Sequence, residues 1–483
     1  MNGSQKHQLE TIARHAMRAH GFDPDFPPAA EAQARSGTQP ALAPSVRDLR
    51  DLPWSSIDND DSRDLDQIEV CLDEGGLTRV LVAIADVDVV VTKDTPLDAH
   101  ARQNTTSVYT PAIVFPMLPP VLSTDRTSLN EDEDRHALVI DMTVNAEGRV
   151  TASDVYRALV RNHAQLTYSA VAAWLDGAGP APAGLSRHRE LDAQVRRQDE
   201  IAQRLQRERE ACGALDFDRT ELKPIVDEHG VRDLTAERPN RAKRLIENFM
   251  VASNGAVVRF LSDRGSPSVR RVVREPERWP RLVDLASQHG GALPARPDPA
   301  ALQAFLQERR RAAPDTFADL SLAVIKLLGR GEYVAAGAKE VSAHFALATQ
   351  GYSHATAPNR RFTDLLTQRL LKAVLTQGAA PYTLPELQAL AKHCTDQEDA
   401  ANKVERLTKK AAAALWLGDR IGQQFDAIVT GAGPKGTWVR LTGLPVEGRL
   451  EQGAEGLDVG DRVRVRLVST DAARGFIDFA RAS

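Results

Sequence analysis

One short acidic stretch of the sequence has residue types and a spacing that could bind a metal ion. Five aspartates fall within nine residues, at positions 58, 60, 61, 64 and 66. So many negative charges repel one another, and such crowding is stable only when solvent or cations neutralise it. In an extended segment Asp64 and Asp66 would point the same way while Leu65 enters the core, and Asp58 could return to them across a turn. Hard oxygen ligands that converge in this way suit magnesium or manganese.

Three interpretations of this stretch stay open from the residues alone. It could be an exposed, solvated acidic loop, an EF-hand calcium loop, or a catalytic metal site for phosphodiester hydrolysis. The EF-hand alternative fits the ligand spacing, but Arg63 stands where that loop needs glycine for its sharp turn. In addition, Pro53 precedes the stretch and strand-like residues follow it, whereas an EF-hand needs flanking helices.

The composition is that of a globular protein with more than one domain. The chain has 483 residues, of which 42% are hydrophobic and 26% charged, and one core stops growing beyond ~250–300 residues. No apolar run approaches the ~20 residues that span a bilayer, and residues 1–20 lack the apolar region of a secretory leader. Cys71, Cys212 and Cys394 lie too far apart to predict a disulfide framework or a zinc pair. We therefore expect a cytoplasmic protein without membrane contact.

The net charge of −5 does not by itself indicate a nucleic-acid-binding protein. The charges are segregated, however. Acidic residues crowd into 58–66 and 131–134, and arginines into 270–281 and 308–311. This segregation permits acidic metal sites and basic RNA-binding surfaces in one chain.

Hydrophobic periodicity indicates the elements that must position the acidic stretch. Residues 7–20 have the spacing of an amphipathic helix, and residues 27–44, rich in Pro, Ala and Ser, are typical of a linker. Strand character begins at residues 68–72 and continues, after a turn, through residues 77–90. The middle of the chain, 160–420, is mainly helical in pattern; its clearest helices are predicted at 241–261 and 363–375.

The end of the chain predicts a small β-barrel. Strand-like pieces at 425–430, 437–441, 462–469 and 475–480 are separated by glycine turns, which is typical of a barrel of the OB type. Residues 431–436 fit the spacing GxGxxG, but a dinucleotide site would open a helix after this motif. The residues that follow are strand-like, so we interpret the glycines as turn residues.

Several motifs of the chain occur in the same order in one family of nucleases. Residues 57–67 read Ile-Asp, a spacer and Asp-Leu-Asp-Gln, and the motifs that follow are 83–87 (Ala-Ile-Ala-Asp-Val), Tyr109 with 116–123, 166–168 (Leu-Thr-Tyr), 214–217 (Ala-Leu-Asp-Phe), 245–250 (Leu-Ile-Glu-Asn-Phe-Met) and 352–362. Together they cover about residues 50–420 and resemble the catalytic domain of the ribonuclease II family, called RNB.

The resemblance implies a multidomain α+β protein. We expect a helical N-terminal element and linker over 1–45, with a helix-turn-helix as one alternative, a mixed α/β RNB catalytic domain over 46–420, and an OB-fold of the S-one type over 421–483. Members of the family commonly carry cold-shock domains before the catalytic domain. The first ~45 residues are too short for such a barrel, so a small helical element replaces it here.

The resemblance also implies an activity: processive hydrolysis of single-stranded RNA from a free 3′ end, which releases nucleoside 5′-monophosphates. The cofactor would be magnesium, with manganese as an alternative, and we expect a monomer. Asp58, Asp64 and Asp66 match three of the family's four metal-binding aspartates, and Asp66 is the carboxylate expected to matter most for catalysis. Gln67 stands at the fourth position, where its neutral amide is a weaker metal ligand. Asp60 or Asp61 could compensate, or the chain could be a catalytically impaired RNA-binding protein of the same fold.

Further residues are predicted to contact RNA on the same ground. Arg360 would place its guanidinium on phosphate oxygens, although from the residues alone it could instead be a surface arginine paired with Asp364. Tyr109 and Phe217 would clamp the ends of the last few nucleotides, and Tyr168 would contact RNA nearer the active site. The remaining candidates are Glu247, expected at the terminal nucleotide, and Trp438 and Arg440 on the barrel; each aromatic could equally be a core residue.

Overall fold

The computed structural model describes residues 3–36, 45–218, 220–433 and 436–482. Its α-helices are α1 Gly3–Ala19, α2 Pro28–Ser36, α3 Pro96–Asn104, α4 Tyr168–Leu175, α5 Leu191–Ala211, α6 Arg241–Asp263, α7 Trp279–Gln288, α8 Pro299–Ala312, α9 Pro314–Leu328, α10 Phe362–Leu375 and α11 Leu384–Gly418. None of these helices is long and apolar enough to cross a membrane.

The strands belong to three larger sheets and three short pairs. They are β1 Arg47–Asp48, β2 Ser56–Asp58, β3 Gln67–Glu74, β4 Leu77–Ala85, β5 Val108–Tyr109, β6 Val114–Phe115, β7 Asp134–Val144, β8 Val150–Arg161, β9 Gln165–Thr167, β10 Glu221–Asp227, β11 Gly230–Glu237, β12 Ser268–Val273, β13 Gly331–Ala336, β14 Ala343–His344, β15 Thr349–Gln350, β16 Gln424–Gly433, β17 Gly436–Leu441, β18 Glu447–Gln452, β19 Arg462–Asp471 and β20 Phe476–Arg481.

The main core is built on a five-stranded sheet with the strand order β1-β8-β7-β4-β3. All neighbours in this sheet are antiparallel except β1 and β8. Residues on both faces of β3 and β4 are buried. Helix α5 packs on β3, and α6 packs on β7 and β8 of the same sheet. The strand predicted to reach Val90 ends at Ala85, because the backbone turns into a short 3₁₀ helix over Val87–Val89. Between them, Asp86 forms an ion pair with Lys372 of α10 (3.0 Å).

Helix α6 connects the five-stranded sheet to the segment 352–361. It begins after Asn240, whose side chain accepts a hydrogen bond from the backbone N–H of Lys243 (2.9 Å), and it ends two residues beyond the predicted 261. On its inner side, Asn254 accepts a hydrogen bond from the backbone N–H of Ala355 (2.9 Å) and donates one to the hydroxyl of Tyr352 (3.1 Å). These contacts fix the segment 352–361 against the helix.

A closed five-stranded barrel with the order β16-β17-β18-β20-β19 forms the C-terminal region, which confirms the predicted OB-type fold. In β19, Val463, Val465 and Leu467 are buried inside the barrel and alternate with exposed arginines, as a strand with one solvated face requires. Gly436 begins a strand rather than a helix, which agrees with the interpretation of the glycine motif; Pro434 and Lys435 of that motif lie outside the described residues.

The N-terminal element packs onto the β5–β6 hairpin and α11. Helix α1 buries Ala13 and Met17 against Phe115 and Val404, next to the β5–β6 hairpin and α11. The prediction of a linker over 27–44 is wrong for its first part, because α2 forms there. Residues 37–44 lie outside the described part of the chain. Pro28 occupies the first position of α2, where proline is tolerated because that N–H has no helical partner.

The prediction that residues 160–420 are mainly helical is also incomplete. Helices α4 to α11 lie there, but so do the β10–β11 hairpin and the sheet with the order β13-β12-β14-β15. In β10 the half-buried Leu222, Pro224 and Val226 alternate with exposed side chains, but a proline within the run argues against a strand in the sequence.

A substitution in α1 tests whether the N-terminal element is part of the folded core. We expect Met17→Ala to lower the free energy of unfolding by about 2–5 kcal/mol, since the side chain is fully buried and its removal leaves a cavity. Urea denaturation of the full chain measures this change. Leu77→Ala, at the exposed first residue of β4, is the control and should change it by less than about 0.5 kcal/mol. Equal effects of the two substitutions would show that α1 is not integral to the fold.

Candidate active site

The acidic stretch runs from the end of β2 to the start of β3, and its course is fixed at Leu65. The Leu65 side chain is buried in the main core, its N–H donates to the Ser128 hydroxyl, and its carbonyl accepts from the Leu129 N–H (both 2.9 Å). With Leu65 held inward, its two neighbours, Asp64 and Asp66, lie on the opposite side, as the sequence predicts.

One cavity of about 330 Å³ gathers most of the predicted site residues. It is lined by Asp58, Asn59, Ser62, Asp64, Asp66, Gln67, Tyr109, Tyr168, Ile246, Met250, Thr356 and Arg360. We call it the inner cavity. Ile246 and Met250, whose role the sequence did not indicate, reach it from α6 within the predicted motif 245–250.

Asp66 is the most deeply buried carboxylate of the inner cavity, with 2% of its surface exposed. Its Oδ1 accepts a hydrogen bond from the backbone N–H of Asn359 (2.9 Å), whereas Oδ2 has no hydrogen-bond partner. The Nε of Arg360 lies 3.4 Å from this second oxygen. Burial raises the pKa of Asp66 to about 7; the Arg360 charge opposes the shift and the Asp64 charge adds to it.

The turn that carries Arg360 is held by its neighbour, Arg361. Asp364, which is completely buried, accepts hydrogen bonds from the Ala357 N–H (2.8 Å) and from Nε of Arg361 (2.9 Å). The alternative in which Arg360 pairs with Asp364 is therefore wrong. Arg361 makes that pair, and this leaves the Arg360 side chain, which is 44% exposed, directed toward Asp66.

Asp58 and Asp64 lie nearer the opening of the inner cavity. Oδ1 of Asp58 accepts hydrogen bonds from the Asn59 N–H (2.7 Å) and the Ser62 hydroxyl (2.9 Å). Oδ2 of Asp64 accepts from the Tyr109 hydroxyl (3.2 Å). Burial raises the pKa of Asp64, and the negative charge of Asp58 contributes in the same direction.

The EF-hand and exposed-loop alternatives do not fit this arrangement. Strands β2 and β3, rather than helices, flank the acidic stretch. Asp60 and Asp61 are exposed, but Asp66 and Gln67 are buried. Asp60 accepts a hydrogen bond from the Ser169 hydroxyl (2.7 Å) outside the inner cavity, so neither Asp60 nor Asp61 takes the place of a carboxylate at position 67.

Carboxylate, amide and hydroxyl oxygens line the inner cavity together with one thioether and one guanidinium, and the carboxylates among them fit a hard cation. The buried Asp66 Oδ2 without a hydrogen-bond partner is the clearest vacant acceptor. Among the residues that the structure describes, no three acidic, His or Cys side chains stand close enough to form a ready-made ion site. The aspartates thus share a cavity while their like charges hold them apart, and a cation would offset this repulsion.

An outer cavity of about 550 Å³ adjoins the inner one, and the two share Asn59, Ser62, Asp64 and Tyr109. Tyr109 projects from the β5–β6 hairpin with 40% of its surface exposed, and its backbone N–H donates to Oε1 of Glu405 on α11 (3.0 Å). The outer cavity is also lined by the cationic residues Arg63, Lys223 and Lys409. The acidic residues Asp61, Glu221 and Glu237 line it as well, and Lys409 forms an ion pair with Glu221 (3.6 Å), so this approach to the carboxylates has mixed charge.

Phe217 and Glu247 do not join the other predicted residues in the inner cavity. They line a separate cavity of about 260 Å³, and no residue lines both. Helix α6 separates the two groups, since Ile246 and Met250 line the inner cavity while Glu247 lines the other. In the second cavity Arg209 lies 3.9 Å from Glu247 and donates a hydrogen bond to Asn248 (2.7 Å).

Trp438 and Arg440 lie on β17 of the barrel and line none of these three cavities. Arg440 forms an ion pair with Asp319 of α9, which ties the barrel to the helical region. Trp438 is half-buried. Contact of either residue with RNA stays a prediction.

Comparison with known proteins gives two family matches. Residues 46–377 match the RNB domain, and residues 423–482 match the RNase II-type exonuclease C-terminal S1 domain. Ribonuclease R of Escherichia coli (strain K12) is 30% identical over 509 residues, which cover 97% of this chain and 62% of that protein. The chain thus spans somewhat less than two thirds of the length of this relative.

Two solved structures show similar folds. Mycoplasma genitalium RNase R in complex with ribose methylated single-stranded RNA superposes with a TM-score of 0.88 at 21% identity, covering 97% of this chain and 77% of its own. Yeast Ssd1, described as a pseudonuclease, superposes with a TM-score of 0.72 at 16% identity, covering 91% of this chain and 55% of its own. At such identities the likeness concerns the fold, which catalytic and non-catalytic proteins share.

The raised pKa of Asp66 predicts a pH dependence of stability in EDTA. A carboxyl whose pKa rises from 3.8 to about 7 on folding makes the protein lose stability as the pH rises between these values, because only the unfolded state ionises there. Asn cannot ionise. Asp66→Asn should therefore melt at a higher temperature than the wild type at pH 8, and the difference should shrink toward pH 4.

The control for this comparison is Asp60→Asn. The hydrogen bond from Ser169 lowers the pKa of Asp60, so its replacement should not stabilise the protein at pH 8. Parallel melting curves of the wild type and Asp66→Asn across this pH range would contradict the assigned burial of the Asp66 carboxyl.

Proposed function

Since the chain belongs to the RNB-domain family, we propose that it is a processive 3′-to-5′ exoribonuclease that hydrolyses single-stranded RNA to nucleoside 5′-monophosphates. The observation that carries the proposal is the inner cavity, where Asp58, Asp64, Asp66 and Arg360 meet. Carboxylates that hold cations beside a guanidinium that binds phosphate are what phosphodiester hydrolysis needs.

In this proposal Asp58, Asp64 and Asp66 hold magnesium, or manganese as the alternative, with the amide oxygen of Gln67 as a weaker neutral donor. Magnesium, when bound, would act as a Lewis acid toward the phosphate oxygens and the attacking water. The three carboxylates that line the inner cavity, and the Oδ2 of Asp66 that has no hydrogen-bond partner, support this assignment.

The residues of the chain would bind and orient the RNA. Arg360 is turned into the cavity, so its guanidinium can fork onto two phosphate oxygens and offset charge that develops on them. The rings of Tyr109 and Tyr168, at the edge of the same cavity, offer faces for stacking, which contributes ~1–3 kcal/mol per base without regard to sequence. The hydrogen bond from Tyr109 to Asp64 links this stacking position to a metal-binding carboxylate.

We propose that single-stranded RNA with a free 3′ end enters through the outer cavity. Although the charge of this cavity is mixed, its cationic residues Arg63, Lys223 and Lys409 can contact the sugar-phosphate backbone, and the cavity shares Asp64 and Tyr109 with the inner cavity. Phe217 remains a candidate for clamping the last few nucleotides together with Tyr109, and Glu247 for contact with the terminal nucleotide, although Phe217 and Glu247 line a different cavity. Trp438 and Arg440 remain candidates on the barrel. The domain limits 1–45, 46–420 and 421–483, a monomeric state and a cytoplasmic location belong to the same proposal.

A degradation assay tests the proposed activity. We expect 5′-labelled oligo(A) to be shortened to a small limit fragment with magnesium and to stay intact in EDTA, because the carboxylates alone provide no Lewis acid. Denaturing gel electrophoresis shows the ladder of products. Binding without shortening would support instead a catalytically impaired RNA-binding protein, and the absence of both would remove the proposal.

Replacement of the central carboxylate tests the assignment of Asp66. We expect Asp66→Asn to keep its affinity for RNA and to lose at least about a hundredfold in single-turnover rate, since one charge of the cation site is gone. Asp60→Asn removes an exposed carboxylate from the same stretch and serves as the matched control. Full activity of Asp66→Asn would refute the assignment.

Gln67→Asp tests how far the neutral amide limits the enzyme. An added carboxylate in the inner cavity should increase the attraction for divalent cations. The variant should therefore reach half of its maximal rate at a lower magnesium concentration than the wild type. A magnesium titration at fixed RNA concentration measures this, and an unchanged midpoint would mean that position 67 does not contribute to cation binding.

A further inference from the structure

One short segment contacts both parts of the chain that meet in the inner cavity, the acidic stretch and the turn 357–361. Its residues Thr127, Ser128 and Leu129 follow a turn of π-helix over Leu122–Arg126, and all three are buried. Ser128 and Leu129 form the hydrogen bonds that fix the backbone of Leu65. The segment therefore holds the stretch that carries the aspartates, and no role has yet been given to Thr127.

Thr127 contacts the other part, the turn that carries Arg360. Its hydroxyl donates a hydrogen bond to Oδ1 of Asn359 (2.6 Å). The carbonyl of Leu122 lies 2.8 Å from the same hydroxyl, but it also accepts the backbone N–H of Thr127 (3.0 Å), so the hydroxyl hydrogen is available to Asn359. The backbone N–H of Asn359 in turn donates to Oδ1 of Asp66 (2.9 Å). Two consecutive hydrogen bonds thus connect Thr127 to a carboxylate of the inner cavity.

The position of the Asn359 side chain depends on this contact. Asn359 has 1% of its surface exposed, and its Nδ2 has no hydrogen-bond partner among the described residues. Asp364 holds the two ends of the turn, through Ala357 and Arg361, whereas Thr127 holds its middle. Without the hydroxyl, both polar atoms of a buried amide would lack a partner, and this cost in free energy favours a shifted turn.

The segment that carries Thr127 is itself fixed from outside the cavity. Arg135 of β7 donates a hydrogen bond from Nε to the carbonyl of Ser128 (2.9 Å). Arg126 donates one to the carbonyl of Ala34 in α2 (3.0 Å). The five-stranded sheet and the N-terminal element thus support the segment from two sides, so it can hold the turn rather than follow its movement.

We propose that Thr127 is a positioning residue for RNA hydrolysis, an inference that rests on the proposed function. By holding Asn359, Thr127 sets the distance between Asp66 and Arg360. Because the adjacent Ser128 and Leu129 hold the acidic stretch, one segment fixes the carboxylates and the guanidinium relative to each other. A phosphate bound at the carboxylates then meets the guanidinium without rearrangement of the turn. In such a geometry a misplacement of about 1 Å can lower a rate about a hundredfold.

Removal of one hydroxyl from the full chain tests this inference. Thr127→Val keeps the shape of the side chain and should lower the single-turnover rate of RNA hydrolysis with magnesium about thirtyfold. Its RNA affinity should stay within about threefold of the wild type, since no group proposed to contact RNA is removed. Thr127→Ser keeps the hydroxyl and should retain the rate within about threefold. The matched control is Thr408→Val, which removes a buried hydroxyl bound to the carbonyls of Val404 and Glu405 in α11 and should leave rate and affinity unchanged.

A double-mutant cycle assigns the effect to the contact between the two side chains. Asn359→Ala should lower the rate about as much as Thr127→Val does, and the double variant should be at most about threefold slower than either. A role of Thr127 in general stability would give additive losses instead. If Thr127→Val does not fold, Asn359→Ala decides, because a wild-type rate in this variant would overturn the inference.

Amide hydrogen exchange, measured by mass spectrometry without RNA or metal, separates this inference from the proposed function. Thr127→Val should speed exchange in residues 357–361 at least about fivefold, and Thr408→Val should not. Unchanged exchange, a wild-type rate of Thr127→Val or additive losses in the cycle would overturn the role of Thr127 and leave the proposed hydrolysis intact. A wild-type chain that hydrolyses no RNA would overturn the proposed function and, with it, the role of Thr127 in hydrolysis.

Discussion

The insertion of Leu65 into the core between two aspartates is the constraint on which the site depends. The side chain of Leu65 is buried in the main core, and its backbone N–H and carbonyl form hydrogen bonds with Ser128 and Leu129. Because successive side chains of an extended chain point to opposite sides, burial of one apolar residue turns two carboxylates toward a single cavity. The free energy of the core thus opposes the electrostatic repulsion that would otherwise spread the acidic stretch into solvent.

A second set of contacts brings the opposite charge to the same place. Asp364 binds Arg361 and the backbone of its turn, and the turn presents Arg360 to Asp66. The same turn donates the Asn359 N–H to Asp66, so one segment binds this carboxylate through two of its residues. Since α6 holds the start of this segment through Asn254, the position of Arg360 is coupled to the helix whose Ile246 and Met250 line the cavity.

Much of this arrangement could be predicted from local sequence, and the remainder depends on long-range packing. The alternation of side-chain directions around Leu65 and the helical spacing of apolar residues in α6 depend only on local sequence, so both could be predicted. Helix α2 was missed because proline was interpreted as a breaker although it occupies the first helical position. The complete burial of Glu69 in β3 also depends on long-range packing, because α5 packs on that strand. The separation of Phe217 from Asp66 depends on where α6 packs, which no local pattern specifies.

A crystal structure of the protein grown with Mn²⁺, with the metal located from its anomalous scattering, tests the central claim most directly. The account predicts at least one Mn²⁺ in the inner cavity, bound by carboxylate oxygens of Asp58, Asp64 or Asp66 at roughly 2.0–2.4 Å. The ion should lie on the side of these carboxylates that faces Arg360. Anomalous density only at the exposed Asp60 and Asp61, or none within the inner cavity at saturating Mn²⁺, would contradict it.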